Sequence, residues 1–165
     1  MKNARPTGSP SVPLPLGPNL ASGDLPHSED QEPKPADEKR SAQALRPRAL
    51  VVDDAPDVAE MVTILLSHAG YEVETAHSAR AALEAAVRAH FDVVVSDIGM
   101  PEMNGYELAE RLRAMPEYAS VPMVAVTGFT MYDDRARAAA SGFDGFLTKP
   151  INTRDLLETL ERLRS

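Results

Sequence analysis

The valine run Val93-Val94-Val95 passes directly into Ser96-Asp97-Ile98-Gly99-Met100-Pro101 and then Asn104-Gly105. Three apolar β-branched residues without polar alternation predict a strand covered on both faces, with Asp97 at its carboxyl end where the glycines and proline break the chain into a loop. A second apolar run, Ala49 to Val52, ends in the same manner on Asp53-Asp54. Ligands of open α/β sheets bind outside such strand ends. Three carboxylates gathered there repel one another, and their pKa values rise unless positive charge joins them. A ligand set of oxygen atoms alone, without His or Cys, selects a hard divalent ion such as Mg2+, held by one or two carboxylates together with waters and a substrate phosphate. Thr127 and Lys149 close two further predicted strands on the same rim and add a hydroxyl and an ammonium. Beside Mg2+ they make a pocket for a phosphoryl group, whose in-line transfer is stabilised mainly by electrostatics. Lys149 is also the only lysine in residues 47–165, every other basic residue there except histidine being arginine.

The elements that must position these groups can be read from residue 47 onward. After the first strand, Pro56 suits the first turn of a helix whose apolar face is Val58, Met61, Val62, Leu65, Leu66 and Ala69, closed by Gly70. Tyr71 to Thr75 alternates with Glu72 and Glu74 and reads as a half-exposed edge strand. Ser78 caps a second helix with Ala79, Ala82, Leu83, Ala86 and Val87 on its inner face. The central strand over 92–96 follows. Asn104 with Glu107 three residues later forms an Asn version of the capping box, opening a helix that buries Leu108, Leu112 and Met115. Pro122 introduces Met123 to Val126, another uninterrupted apolar strand. Thr130 and Asp133 are candidate caps for a fourth helix whose inner face is Tyr132, Ala136, Ala139 and Ala140, a weakly anchored element. Phe143 to Leu147 gives a short fifth strand, on which Phe146 has the opposite parity to Phe143 and Leu147, and Leu156, Leu157, Leu160 and Leu163 line the last helix.

Five strands alternating with five helices predict an α/β, doubly wound, five-stranded parallel sheet. Continuous runs mark the first, third and fourth strands as interior. The order 2-1-3-4-5 follows, and its switch point brings Asp53, Asp54 and Asp97 together.

The first 46 residues differ in kind. Nine of the 14 prolines lie at or before Pro47, no Phe or Tyr precedes Tyr71, and six acidic residues there balance six basic ones. Such a segment buries too little to offset ordering entropy, so residues 1–46 are expected to form a disordered Pro-rich tail and 47–165 the folded domain. The net charge of -8 therefore belongs to the folded part, and opposes direct contact with nucleic acid or an anionic membrane. Cysteine is absent and no apolar run approaches membrane-spanning length, a combination that suits the cytoplasm.

Leu50-Val51-Val52-Asp53-Asp54, Asp97 with its loop to Pro101, Asn104-Gly105, Val126-Thr127-Gly128 and Leu147-Thr148-Lys149-Pro150, in this order and at these separations, resemble the receiver domain of bacterial two-component response regulators, with its flavodoxin-like fold. The resemblance spans about residues 47–165. It implies that Asp97 is the phosphoacceptor, that Asp54 binds Mg2+ directly and Asp53 through water, and that the Gly99 carbonyl completes the protein's metal ligands. It further implies that Thr127 and Lys149 bind phosphoryl oxygens, that the Lys149-Pro150 bond is cis, and that Phe146 corresponds to the family's switch aromatic. The implied partners are a histidine kinase or a histidine phosphotransfer protein and a downstream protein, with the domain catalysing only its own phosphorylation and dephosphorylation.

Two other classes share parts of this pattern. A flavodoxin-like nucleotide binder needs a Gly- and hydroxyl-rich phosphate loop after the first strand, where Asp53-Asp54-Ala55-Pro56 would repel a phosphate. An aspartate-nucleophile phosphatase of the haloacid dehalogenase type needs Asp-x-Asp on the first strand, which is missing. Since the sequence stops at Ser165, just past the last predicted helix, the expected output is protein contact, either as a stand-alone regulator or as a phosphorelay receiver serving a hybrid kinase.

Overall fold

The computed structural model describes residues 45–128 and 134–165. The predicted tail, apart from Leu45 and Arg46, and the proposed roles of Thr130, Tyr132 and Asp133 lie outside the described residues. Strands β1 (Arg48–Val52), β2 (Glu72–Ala76), β3 (Val93–Asp97), β4 (Met123–Thr127) and β5 (Gly145–Thr148) alternate with helices α1 (Pro56–His68), α2 (Ala79–Arg88), α3 (Gly105–Arg113), α4 (Asp134–Ser141) and α5 (Thr153–Arg164). All four strand pairings are parallel, and the order is β2-β1-β3-β4-β5, as the apolar runs predict.

Strand parity divides the interior into two layers. Ala49, Val51, Val93, Val95, Val124 and Val126 face one side with Ala59, Val62 and Leu66 of α1 and Leu156 and Leu160 of α5. Leu50, Val52, Val94, Met123 and Ala125 face the other, under α2, α3 and α4. β3 and β4 are buried along their whole length and are apolar up to their carboxyl ends, where Ser96-Asp97 and Thr127 stand.

Several helix faces match the expected ones only in part. On α1 the buried residues are Ala59, Val62 and Leu66, whereas Met61 is 39% exposed and Ala69 lies at the exposed carboxyl end. On α2 the buried set is Ala79, Ala82, Ala85 and Ala86, and Val87 is 78% exposed. Four alanines let the helix backbone lie close to the sheet, so its orientation follows small residues rather than the bulkier ones at one margin. The largest difference is α4, where Ala138 and Ser141 are buried while Ala136, Ala139 and Ala140 are exposed. A run of alanines contains no bulky side chain to fix its phase, and packing from outside decides it.

Boundary differences are smaller. Tyr71 and Phe143 are buried just ahead of β2 and β5 rather than within them, Asp92 precedes β3, and Met115 lies beyond α3. Phe143 and Phe146 consequently share one core layer, with Leu147 in the other, so the opposite parity holds only for Phe146 and Leu147. Ser78 and Asn104 cap α2 and α3 as expected, the latter through a complete capping box with Glu107.

At the end of the sheet away from Asp97, one side chain ties several backbone segments together. The Arg113 guanidinium donates to the carbonyls of Tyr118 and Val121 at 2.7 Å each and of Gly142 at 2.7 Å, and pairs with Asp144 at 2.8 Å. The segments entering β4 and β5 are thereby joined to the carboxyl end of α3.

Gly105 opens α3 and packs directly on the backbone that carries Asp97. An added Cβ would overlap the Asp97 carbonyl oxygen and come within 2.8 Å of Ile98 Cα. Helix propensity alone favours alanine there by roughly 1 kcal/mol, so the sign of Gly105→Ala separates the two effects. Urea denaturation should show the variant destabilised by about 1–3 kcal/mol, the range for overpacking; a stabilised variant would mean that the contact yields freely.

Candidate functional site

The carboxyl ends of β1, β3 and β4 place Asp53, Asp97 and Thr127 on one rim, with Lys149 just past β5. Asp53, Asp97 and Thr127 are buried, at 4%, 6% and 4% exposure, which is unusual for carboxylates and calls for compensation. Asp54 is exposed. One carboxylate oxygen from each of Asp53, Asp54 and Asp97 lies within 4.8 Å of the other two, a cluster able to hold a metal ion. The sequence prediction that two separate β-segments bring these three acids together is therefore met in space.

Each acid is held by its own loop. Asp53 Oδ1 accepts a hydrogen bond from the Ala55 N–H at 2.9 Å, a local turn that fixes its rotamer, while its backbone N–H donates to Ala76 in β2 at 3.1 Å. Asp97 Oδ1 accepts from the Gly99 N–H at 3.4 Å, and the Asp97 carbonyl accepts from Ser96 Oγ at 2.8 Å. The loop after Asp97 turns back on itself, with the N–H groups of Met100 and Gly105 both donating to the Ile98 carbonyl. Glu102 in this loop adopts a φ of 67°, the left-handed region.

Lys149 supplies the compensating charge. Its Nζ lies 3.0 Å from Asp53 Oδ2 and 3.4 Å from Asp97 Oδ1. Its backbone N–H donates to the Thr127 carbonyl at 2.7 Å, continuing the β4–β5 ladder one residue past β5, and the Lys149-Pro150 peptide is cis, as the family resemblance implied. Burial acts to lower the Lys149 pKa, but the hydrogen bond to Asp53 and the charges of Asp97 and Asp53 outweigh it, and the ammonium is held above its ordinary range. Burial, followed by the negative charge of Asp53, pushes Asp97 above 3.8, partly offset by Lys149 and the Gly99 N–H.

Phe146 is half-buried against the α3–α4 layer, with the Arg135 guanidinium 5.4 Å from its ring centre. Two neighbours of the site escaped the sequence reading. His77 approaches the Asp53 carbonyl through Nδ1 at 3.2 Å. Tyr106, in the first turn of α3, is buried and donates to Asp134 Oδ1 at 3.3 Å. A His directly after an edge strand and a Tyr directly after a capped Gly were the available signals.

Comparison with known proteins agrees with this geometry. A family model described as the response regulator receiver domain matches residues 49–161. An uncharacterised 14.6 kDa protein from the sodA1 3' region of Leptolyngbya boryana is 37% identical over 68% of this chain and 86% of that protein. The sensor protein GacS of Pseudomonas syringae is also 37% identical, over 69% of this chain but only 13% of its own length. Other curated relatives are likewise longer, the chain spanning less than half of them. Among solved structures, the chemotaxis protein CheY4 of Vibrio cholerae superposes with a TM-score of 0.69 at 40% identity, covering 72% of this chain and 98% of that one.

An acid whose folded pKa lies above its unfolded value stabilises the fold only while protonated. That contribution is present below 3.8 and is lost as pH rises through the raised value. In metal-free buffer, Asp97→Asn should therefore melt at a higher temperature than the parent chain near neutrality, with the difference closing as the pH falls below 3.8. Circular dichroism melts across that range check it; a variant less stable at neutral pH would show that the Lys149 contact outweighs burial.

Proposed function

The chain belongs to the response regulator receiver domain family of two-component signalling, and from that premise we propose that Asp97 accepts a phosphoryl group from a phosphohistidine on a partner kinase or phosphotransfer protein. The observation that carries the reading is the buried Asp97 carboxylate, clustered with Asp53 and Asp54 and 3.4 Å from the Lys149 ammonium. The acids fit Mg2+ by their chemistry, as hard oxygen donors of high negative charge. Asp54 would bind the ion directly, Asp53 through water, and Asp97 and the Gly99 carbonyl would complete the protein's share. When bound, the ion neutralises the phosphoryl oxygens and the acids that face them.

The residues of this chain do the rest. An Asp97 carboxylate oxygen attacks phosphorus in line as the P–N bond breaks, the bonding pair returns to the imidazole, and an acyl phosphate remains on Asp97. Lys149, held protonated by its acidic neighbours, moves its ion pair onto a phosphoryl oxygen. Thr127 donates its hydroxyl to another and shifts inward, and Phe146 follows into the space vacated. Met61 and Ile64 of α1, 39% and 49% exposed, give a protein donor an apolar strip on the helix that starts beside the acidic pair. The product signals through protein contact, in the cytoplasm and without direct binding to nucleic acid, consistent with the acidic charge of the folded part.

The similarity to GacS favours a second reading within the same chemistry, a phosphorelay receiver that passes its phosphoryl group onward to a histidine phosphotransfer protein. Radiolabelled transfer in both directions distinguishes it from a terminal acceptor.

With labelled phosphodonor and Mg2+, the parent chain should acquire an acid-stable, base-labile label at a stoichiometry of about one. Asp97→Asn should acquire none, chelation should abolish labelling, and Lys149→Ala should slow it by about 10²-fold, the cost of one electrostatic stabiliser. Undiminished labelling of Asp97→Asn would move the acceptor elsewhere, and catalytic turnover of phosphate esters would favour a phosphatase. We also assign the chemistry to residues 47–165 and none of it to residues 1–46. A chain starting at Arg46 should label at the parental rate; loss of labelling would give the tail a part in it.

A further inference from the structure

α4 is held by little apolar surface. Among its described side chains only Ala138 and Ser141 are buried, and an alanine methyl contributes far less than a Leu or Phe. Polar and ring contacts take over. Asp134 in the first turn accepts from the Tyr106 hydroxyl at 3.3 Å, and the Arg137 guanidinium lies 4.2 Å from the centre of the same ring. On the opposite margin Arg135 stacks over Phe146 at 5.4 Å. Helical spacing puts residues 134, 138 and 141 on one face, with 135 and 137 flanking it. The rings of Tyr106 and Phe146 thus grip α4 from two sides. Burial, and then the charge of Asp134, push the Tyr106 phenol up, so the hydroxyl keeps the proton it donates.

Tyr106 is also one residue from the acceptor backbone. The preceding Gly105 donates its N–H to the Ile98 carbonyl at 2.9 Å and leaves no room for a Cβ against Asp97 and Ile98. The first turn of α3 therefore moves with the Asp97 backbone.

The geometry points to Tyr106 as a latch that holds α4 in the unphosphorylated position and lets go when Asp97 is modified, a route from acceptor to α4 separate from Thr127 and Phe146. The release step rests on the assignment of Asp97 as phosphoacceptor; the latch itself does not. By linkage, a contact that favours the resting state opposes the modified one by the same factor.

Hydrogen exchange of the full chain, with and without Mg2+ and beryllium fluoride as acyl-phosphate mimic, tests both parts. Without the mimic, Tyr106→Phe should speed exchange in residues 134–141 by about three- to tenfold, the worth of one hydrogen bond, and leave α1 and α5 unchanged. Arg137→Gln should act in the same direction. In the parent chain the mimic should raise exchange of 134–141 toward the variant's level, and Tyr106→Phe should bind the mimic more tightly by the same three- to tenfold. Equal exchange of 134–141 in parent and variants overturns the latch. Unchanged or weaker mimic binding by Tyr106→Phe overturns its role in release. Failure of the mimic to bind the parent chain removes the Asp97 assignment and the release step with it, while the mimic-free comparison still decides the latch.

Discussion

The burial of two carboxylates beside a third, offset on the protein side by one ammonium, is the constraint to which the remainder of the fold answers. Asp53 and Asp97 are almost fully withdrawn from water and face each other across the switch point, an arrangement that Coulomb repulsion and desolvation both oppose. It persists because the acids stand at the ends of strands whose apolar interiors have no alternative register: a one-residue slip of β3 would turn its valines out of their layers. Lys149 offsets only part of this: burial first, and then the charge of Asp53, keep Asp97 above its ordinary range. The pocket is thus set to gain from added positive charge, which a metal ion held by the three acids would supply.

Most of this frame was legible in the amino-acid order because strand signals and site signals coincide. Ala49 to Val52, Val93 to Val95 and Met123 to Val126 announce buried strands, and each run stops at or one residue before a member of the rim: Asp53, Asp97 and Thr127. Sheet order followed from which runs were uninterrupted, and the convergence of Asp53, Asp54 and Asp97 followed from the order. What escaped was governed by tertiary contact. The phases of α2 and α4 are set by how closely alanines approach the sheet and by what lies opposite, and neither is written in local periodicity. The expected inner faces included Val87 of α2, which is exposed, and left out Ala138 of α4, which is buried.

The misjudged helix is also the one with functional interest. An element with a deep apolar seam has one position; one whose described buried side chains are an alanine and a serine is held by polar and ring contacts that can be broken separately. The aromatic and guanidinium groups around α4 give it specific contacts in place of apolar bulk. Marginal packing and specific contact are complementary here.

The Arg113 staple gives this arrangement its other half. One guanidinium gathers the carbonyls that lead into β4 and β5 at the far end of the sheet, opposite the acidic rim. The two ends of the sheet are accordingly fastened in different ways: a base where one guanidinium gathers backbone carbonyls, and a rim where the ion pairs of Lys149 and short hydrogen bonds within each loop hold the acids.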